Sequence, residues 1–130
     1  MNIFKSDRYF VLFDYLISHG QLLLRSQKAK GHDQNIDIIF FDATYIQVFA
    51  YLDGVAIRKT ENATGFGYNS VSSYLGHNNN SLFEVETKLG EKYYIAASFF
   101  RVYENELEFG ETSLGVLQYK GREKQISASL

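Results

Sequence analysis

The 130-residue chain contains no cysteine, no proline and no tryptophan. Without cysteine, disulfides, thiolate-bound zinc and cysteine nucleophiles are excluded. Without proline, the usual marker of a sheet edge is missing, so edge strands cannot be picked out by eye. No apolar run approaches the roughly 18 residues of a membrane span. The opening MNIFKSDRY lacks a basic stretch followed by an apolar run and a small-residue cleavage site, so no secretory signal is read there. These absences together lead to the expectation of a cytoplasmic protein that does not engage a membrane. In that setting Asn62-Ala63-Thr64 and Asn79-Asn80-Ser81 fit the glycosylation pattern without meaning.

An excess of positive charge is lacking as well. Thirteen Lys and Arg against fifteen Asp and Glu give a formal charge of −2, which argues against sequence-independent binding to nucleic acid. The basic group Lys120, Arg122 and Lys124 is interrupted by Glu123 and reads as a solvated tail. The acidic stretch from Glu84 to Glu111 reads as the outer faces of strands rather than as a metal site.

What is present is apolar and aromatic. The hydrophobic share of 45% and charged share of 22% are those of a globular chain, and the length fits one domain over residues 1–130. The 16% aromatic content is all Tyr and Phe, residues that favour pleated, half-buried surfaces. Arg8 to Ile17 is apolar on both parities, as in a strand buried on two faces. Gln21 to Gln27 alternates, with Leu22 and Leu24 inward, Gln21 and Arg25 outward, and Leu23 breaking the pattern. Lys28 to Gln34 is a polar loop. Ile36 to Phe41 and Tyr45 to Leu52 read as the third and fourth strands, and Asp53-Gly54 reads as a type I′ hairpin turn into Val55 to Lys59.

The clearest hairpin is Leu82 to Arg101. Phe83 and Val85 alternate with Glu84 and Glu86, while Tyr93, Ile95, Ala97 and Phe99 share one parity. A type I turn over Lys88-Leu89 with Gly90 in the left-handed region pairs Val85 with Tyr93 and Phe83 with Ile95. Glu104-Asn105 reads as a further turn, Leu107 to Phe109 as a short strand, and Gly115 to Lys120 as the last. The expected architecture is all-β: an antiparallel sandwich or barrel of eight or nine short strands, with at most one or two short helical turns.

One stretch breaks the rhythm. Thr60 to Ser81 is longer than the connections a compact domain usually tolerates without a function. Its Gly65-Phe66-Gly67 lacks the third glycine and the βαβ context of a phosphate cradle. Its Tyr, Ser, Asn and Gly content suits either a lid packed down by Phe66 and Tyr74 or an adaptable recognition surface. The candidate binding residues are Tyr68, Asn69, Ser72, Ser73, Tyr74 and His77.

Catalytic chemistry is poorly represented. His19 falls where a strand reverses and His32 in a polar loop. In a simple hairpin a seven-residue strand of about 23 Å separates them, at ~3.3 Å per residue. No HxH or HExxH spacing preorganises a metal, and no G-x-S-x-G elbow is present. Glu104, Glu106 and Glu108 share a face if they lie on one strand, where repulsion and solvent exposure are the commoner outcome. No motif calls for a cofactor.

The expected function is therefore that of a non-enzymatic binding module whose partner is another protein or a second copy of the chain. Ile36 to Phe41 and Tyr45 to Leu52, apolar on both parities, are the sequence argument for self-association. The alternative is a barrel carrying a small apolar ligand in a pocket of Phe and Tyr. An enzyme using His77 with a carboxylate comes third.

Overall fold

The computed structural model describes residues 1–60, 80–115 and 119–130. Among these residues nine antiparallel strands make one sheet: β1 (Phe4–Leu16), β2 (Gln21–Ser26), β3 (Asn35–Phe41), β4 (Tyr45–Gln47), β5 (Tyr51–Thr60), β6 (Ser81–Glu86), β7 (Lys92–Ala97), β8 (Phe99–Asn105) and β9 (Lys124–Ala128). Their order across the sheet is β4-β7-β6-β5-β1-β2-β3-β8-β9. A 3-10 turn at Ile17–His19 is the one helical element among the described residues, and none of their helices could cross a membrane.

Two corners fold this sheet over. β1 pairs with β5 from Phe4 to Val11 and with β2 from Val11 to Leu16, so it passes from one layer to the other. The second corner lies where β3 continues into β4 past Asp42, opposite Ser98 between β7 and β8. Ser98 N donates to Phe41 O and Thr44 N to Ala96 O, both at 2.9 Å, carrying the pairing round the bend. Asp42 takes a left-handed φ of 56°, which Asp tolerates better than most residues. One layer is thus β4-β7-β6-β5 with the start of β1. The other is the end of β1 with β2, β3, β8 and β9.

The inward parity of both layers fills the space between them. Phe40, Phe83 and Phe100 meet there with ring centroids 5.2 to 5.8 Å apart. Around them pack Leu22, Leu24, Ile38, Ile57, Val85 and Val102, all fully buried. The β6–β7 hairpin has the register read from sequence, with Val85 opposite Tyr93 and Phe83 opposite Ile95. Gly90 N closes the turn on Thr87 O at 3.0 Å, with Gly90 at φ +83°.

Several local expectations are corrected. Asp53-Gly54 is not a hairpin turn: β5 runs straight through it. Gly54 (φ +80°) instead faces a β-bulge, because Asp7 and Arg8 lie between the pairs Ser6–Val55 and Tyr9–Asp53. A Cβ at Gly54 would come within 2.7 Å of Lys88 Cγ, so glycine serves packing as well as backbone shape. The expected strand Tyr45 to Leu52 is divided, since residues 48–50 are irregular. Phe99 leaves the inward parity because Ser98 bends the chain, and Phe100 points inward in its place. Asn105 ends β8 rather than forming a turn, and Leu107 to Phe109 is irregular. Of Gly115 to Lys120, residues 116–118 lie outside the described residues and the rest is not strand. The last strand is β9, within what reads as a solvated tail, with Lys124 paired to Glu104 at 2.8 Å.

Candidate functional site

The expected binding residues Tyr68, Asn69, Ser72, Ser73, Tyr74 and His77, together with Phe66, lie outside the described residues. The return to β6 is anchored: buried Asn80 donates through Nδ2 to Thr44 Oγ1 at 2.8 Å and accepts from Ser98 Oγ at 2.9 Å. His19 closes the 3-10 turn and is exposed. His32, also exposed, exchanges backbone hydrogen bonds with Ala29 at 2.8 and 3.0 Å. Among the described residues, no three His, Asp or Glu side chains are grouped as metal ligands.

The outward parity of β2, β3 and β8 holds a feature the alternation did not reveal. Arg25 and Asp37 face one another across β2 and β3, both with 0% side-chain exposure. Arg25 Nε donates to Asp37 Oδ1 at 2.7 Å and Nη2 to Oδ2 at 2.8 Å, the two-pronged geometry in which a guanidinium best matches a carboxylate. Nη1 donates to Glu111 O at 2.5 Å, and the ring of Phe13 lies 4.2 Å from the guanidinium carbon. Asp37 Oδ2 also accepts from Asn105 Nδ2 at 2.9 Å and Ser113 Oγ at 2.7 Å. Asn105 accepts from Asn35 Nδ2 at 2.8 Å, and Asn35 donates on to Leu107 O at 2.9 Å.

The partners of Arg25 and Asp37 beyond the strands, Glu111 and Ser113, belong to the irregular segment after β8. That segment is thereby strapped over the outer face, where Leu114 packs with Leu23, Ile39 and Tyr103. Carboxylate, hydroxyl and guanidinium within hydrogen-bond reach resemble catalytic chemistry, but these groups are enclosed and already matched, which makes them a structural clasp. One signal in the sequence pointed here: Leu23 is apolar on the parity read as outward, and Ile36 to Phe41 is apolar on both, as a second buried face requires.

Beside the clasp, a groove of about 510 Å³ runs between β1 and the β2–β3 connection, walled by Arg8, Tyr9, Val11, Gln27, His32 and Lys88. The bulge at Asp7-Arg8 places Arg8 there. Its Nε donates to Ser26 Oγ at 3.0 Å, and Nη2 reaches the carbonyls of Gln34 at 3.0 Å and of Ser26 and Gln27 at 3.2 Å. Arg8 thus ties the first layer to the ends of β2 and β3, yet all its acceptors among the described residues are neutral. Burial pulls its pKa below the ordinary arginine value, and the attraction of Glu104 offsets only part of that.

Several large exposed apolar side chains lie on or beside the same strand. Tyr9, Leu12, Tyr15 and Ile17 stand on or just after β1, and Phe49 and Tyr51 flank Ala50, whose carbonyl accepts from Leu12 N at 2.8 Å. Tyr9 and Tyr51, 54% and 63% exposed, stack with centroids 6.1 Å apart. The sheet edges, by contrast, are guarded without proline. β4 has three residues, β9 bulges at Ile126 and carries Lys124, and β1 bulges at Phe13 while Asp14 Oδ1 occupies the Tyr15 N–H at 2.8 Å. Comparison with known protein families, curated proteins and solved structures gives no match.

Proposed function

We propose that this protein is a binding module that receives a segment of another polypeptide on the β1 surface, in the groove walled by Arg8 and Tyr9. The observation that carries this reading is the exposed, stacked pair Tyr9 and Tyr51, the first of which walls the groove. Apolar side chains scattered singly need no explanation, but a cluster rimmed by polar groups is how a binding surface differs from the rest of a protein's exterior. Tyr9 and Tyr51 offer broad, rigid contact with little entropy to lose, and Asp7, Lys88 and His32 supply the polar rim. Guarded edges favour contact through side chains over addition of a partner strand.

The carrier alternative fits less well, because Phe40, Phe83 and Phe100 fill the space between the layers where an apolar ligand would sit. The sequence argument for self-association weakens too. Ile36 to Phe40 is buried on both parities within one chain, by the inner core and by the strap. Light scattering at high concentration tests whether a second copy docks through β1.

Selection of a random peptide library against the wild type and a Tyr9→Ser/Tyr51→Ser variant tests the main reading. Peptides enriched on the wild type should bind the variant at least about tenfold more weakly, the loss expected on removing aromatic anchors, while its melting temperature holds. No enrichment, or enrichment indifferent to the substitutions, would contradict it.

A further inference from the structure

We propose that Arg8 is the anchor of this groove and receives the carboxylate of an acidic side chain from the bound partner polypeptide, with Tyr9 flanking it. The inference rests on the groove being a polypeptide site and names what that site selects.

Its support is a comparison of cations. Arg25 is matched by Asp37, Lys88 by Asp53 at 3.4 Å, Lys124 by Glu104 at 2.8 Å and Lys28 by Glu108 at 3.1 Å. Arg8, half-buried among them, has no carboxylate within ion-pair distance among the described residues, and its Nη1 donates to none of their acceptors. Carbonyl dipoles replace only part of the water a guanidinium loses on burial, and the downward pull on its pKa is the trace of that deficit. A carboxylate brought to the free side of the guanidinium completes the solvation and adds charge-assisted hydrogen bonds, the stronger kind.

Arg8 is also held in place. Four contacts to Ser26, Gln27 and Gln34 fix its orientation before any partner arrives, so little side-chain entropy remains to be lost on binding. Asp7 and Asp53 line the same groove, but both are exposed, so water screens their charge, and Asp53 faces Lys88. Phosphate would satisfy the same guanidinium. A side chain carried on a polypeptide is favoured because the adjoining wall is Tyr9 and Val11, which suits apolar neighbours of the acid.

The test follows the Arg8 Nε–H resonance of the whole labelled chain during titration with a capped pentapeptide, a glutamate flanked by tyrosines. The matched glutamine peptide, acetate and inorganic phosphate are titrated in parallel. The glutamate peptide should shift Arg8 saturably and the glutamine peptide should bind at least about tenfold more weakly, the difference between charged and neutral acceptors. Arg8→Lys, shown folded by its dispersed spectrum, should weaken the glutamate peptide by a similar factor, because a single ammonium cannot span the Ser26, Gln27 and Gln34 acceptors while a second nitrogen faces the ligand. Equal binding of the two peptides overturns the anchor and leaves the groove as a polypeptide site. Acetate or phosphate matching the peptide overturns the partner side chain in favour of a simple anion site. If neither peptide perturbs any β1 resonance, the polypeptide site itself falls.

Discussion

Arg25 and Arg8 line the same groove, yet one charge is enclosed and matched while the other is half-buried and unmatched. Arg25 meets a carboxylate in two-pronged geometry, a backbone carbonyl and an aromatic face, leaving nothing for a ligand to add. Among the described residues Arg8 meets only a hydroxyl and carbonyls. A buried arginine is therefore a poor guide to a site by itself; what matters is whether the fold supplies its counter-charge. The same contrast separates the two cores. The inner one is closed by hydrocarbon alone, the outer one by a hydrogen-bonded clasp under a strap.

Substitutions can break the comparison at graded strength. A carboxylate is accommodated at position 37 because its partners are built in, and it should not be at position 85. Val85→Asp places an unmatched charge in the inner core, at a cost of more than about 4 kcal/mol, and circular dichroism should show loss of the folded spectrum. Asp37→Ala, which strands Arg25, should cost about 3–5 kcal/mol by urea unfolding. If the clasp is there for specificity rather than stability, Arg25→Met with Asp37→Leu should recover most of that loss, since apolar replacements of buried pairs are often neutral. Ser113→Ala removes one of several donors to Asp37 and should cost about 1–2 kcal/mol, with faster amide exchange confined to the strap. Glu86→Lys, at the half-exposed contact with Arg58, should change stability by less than about 1 kcal/mol.

The sequence displayed the inner core well, because alternation, β-branched and aromatic content and the Gly90 turn all agree over β6 and β7. It displayed the outer core badly for a physical reason. Gln21, Arg25, Asn35, Asp37 and Asn105 are polar residues whose burial depends on a distant irregular segment, and no local period records that. Asp53-Gly54 misled because the positive φ that suits a tight turn equally suits a bulge inside a strand. Arg8 carried no local mark at all. Its importance comes from the bulge that aims it and from the lack of a carboxylate within ion-pair distance among the described residues, both of which are facts of tertiary arrangement. The acidic stretch behaved as read where strands pair, with Glu84 and Glu86 meeting Arg58 on an outer face.

The distinction between a matched and an unmatched arginine is tested most directly by urea unfolding of Arg25→Met beside Arg8→Met. The side chains are replaced alike, so the difference reports what each charge was doing for the fold. Arg25→Met leaves Asp37 buried without its cation and should lose about 3–5 kcal/mol. Arg8→Met removes part-buried bonds to neutral acceptors and strands no buried charge, so it should lose only about 1–2 kcal/mol. Equal losses, or a larger loss at Arg8, would show that Arg8 is committed to the fold and would contradict its assignment as a charge held open for a partner.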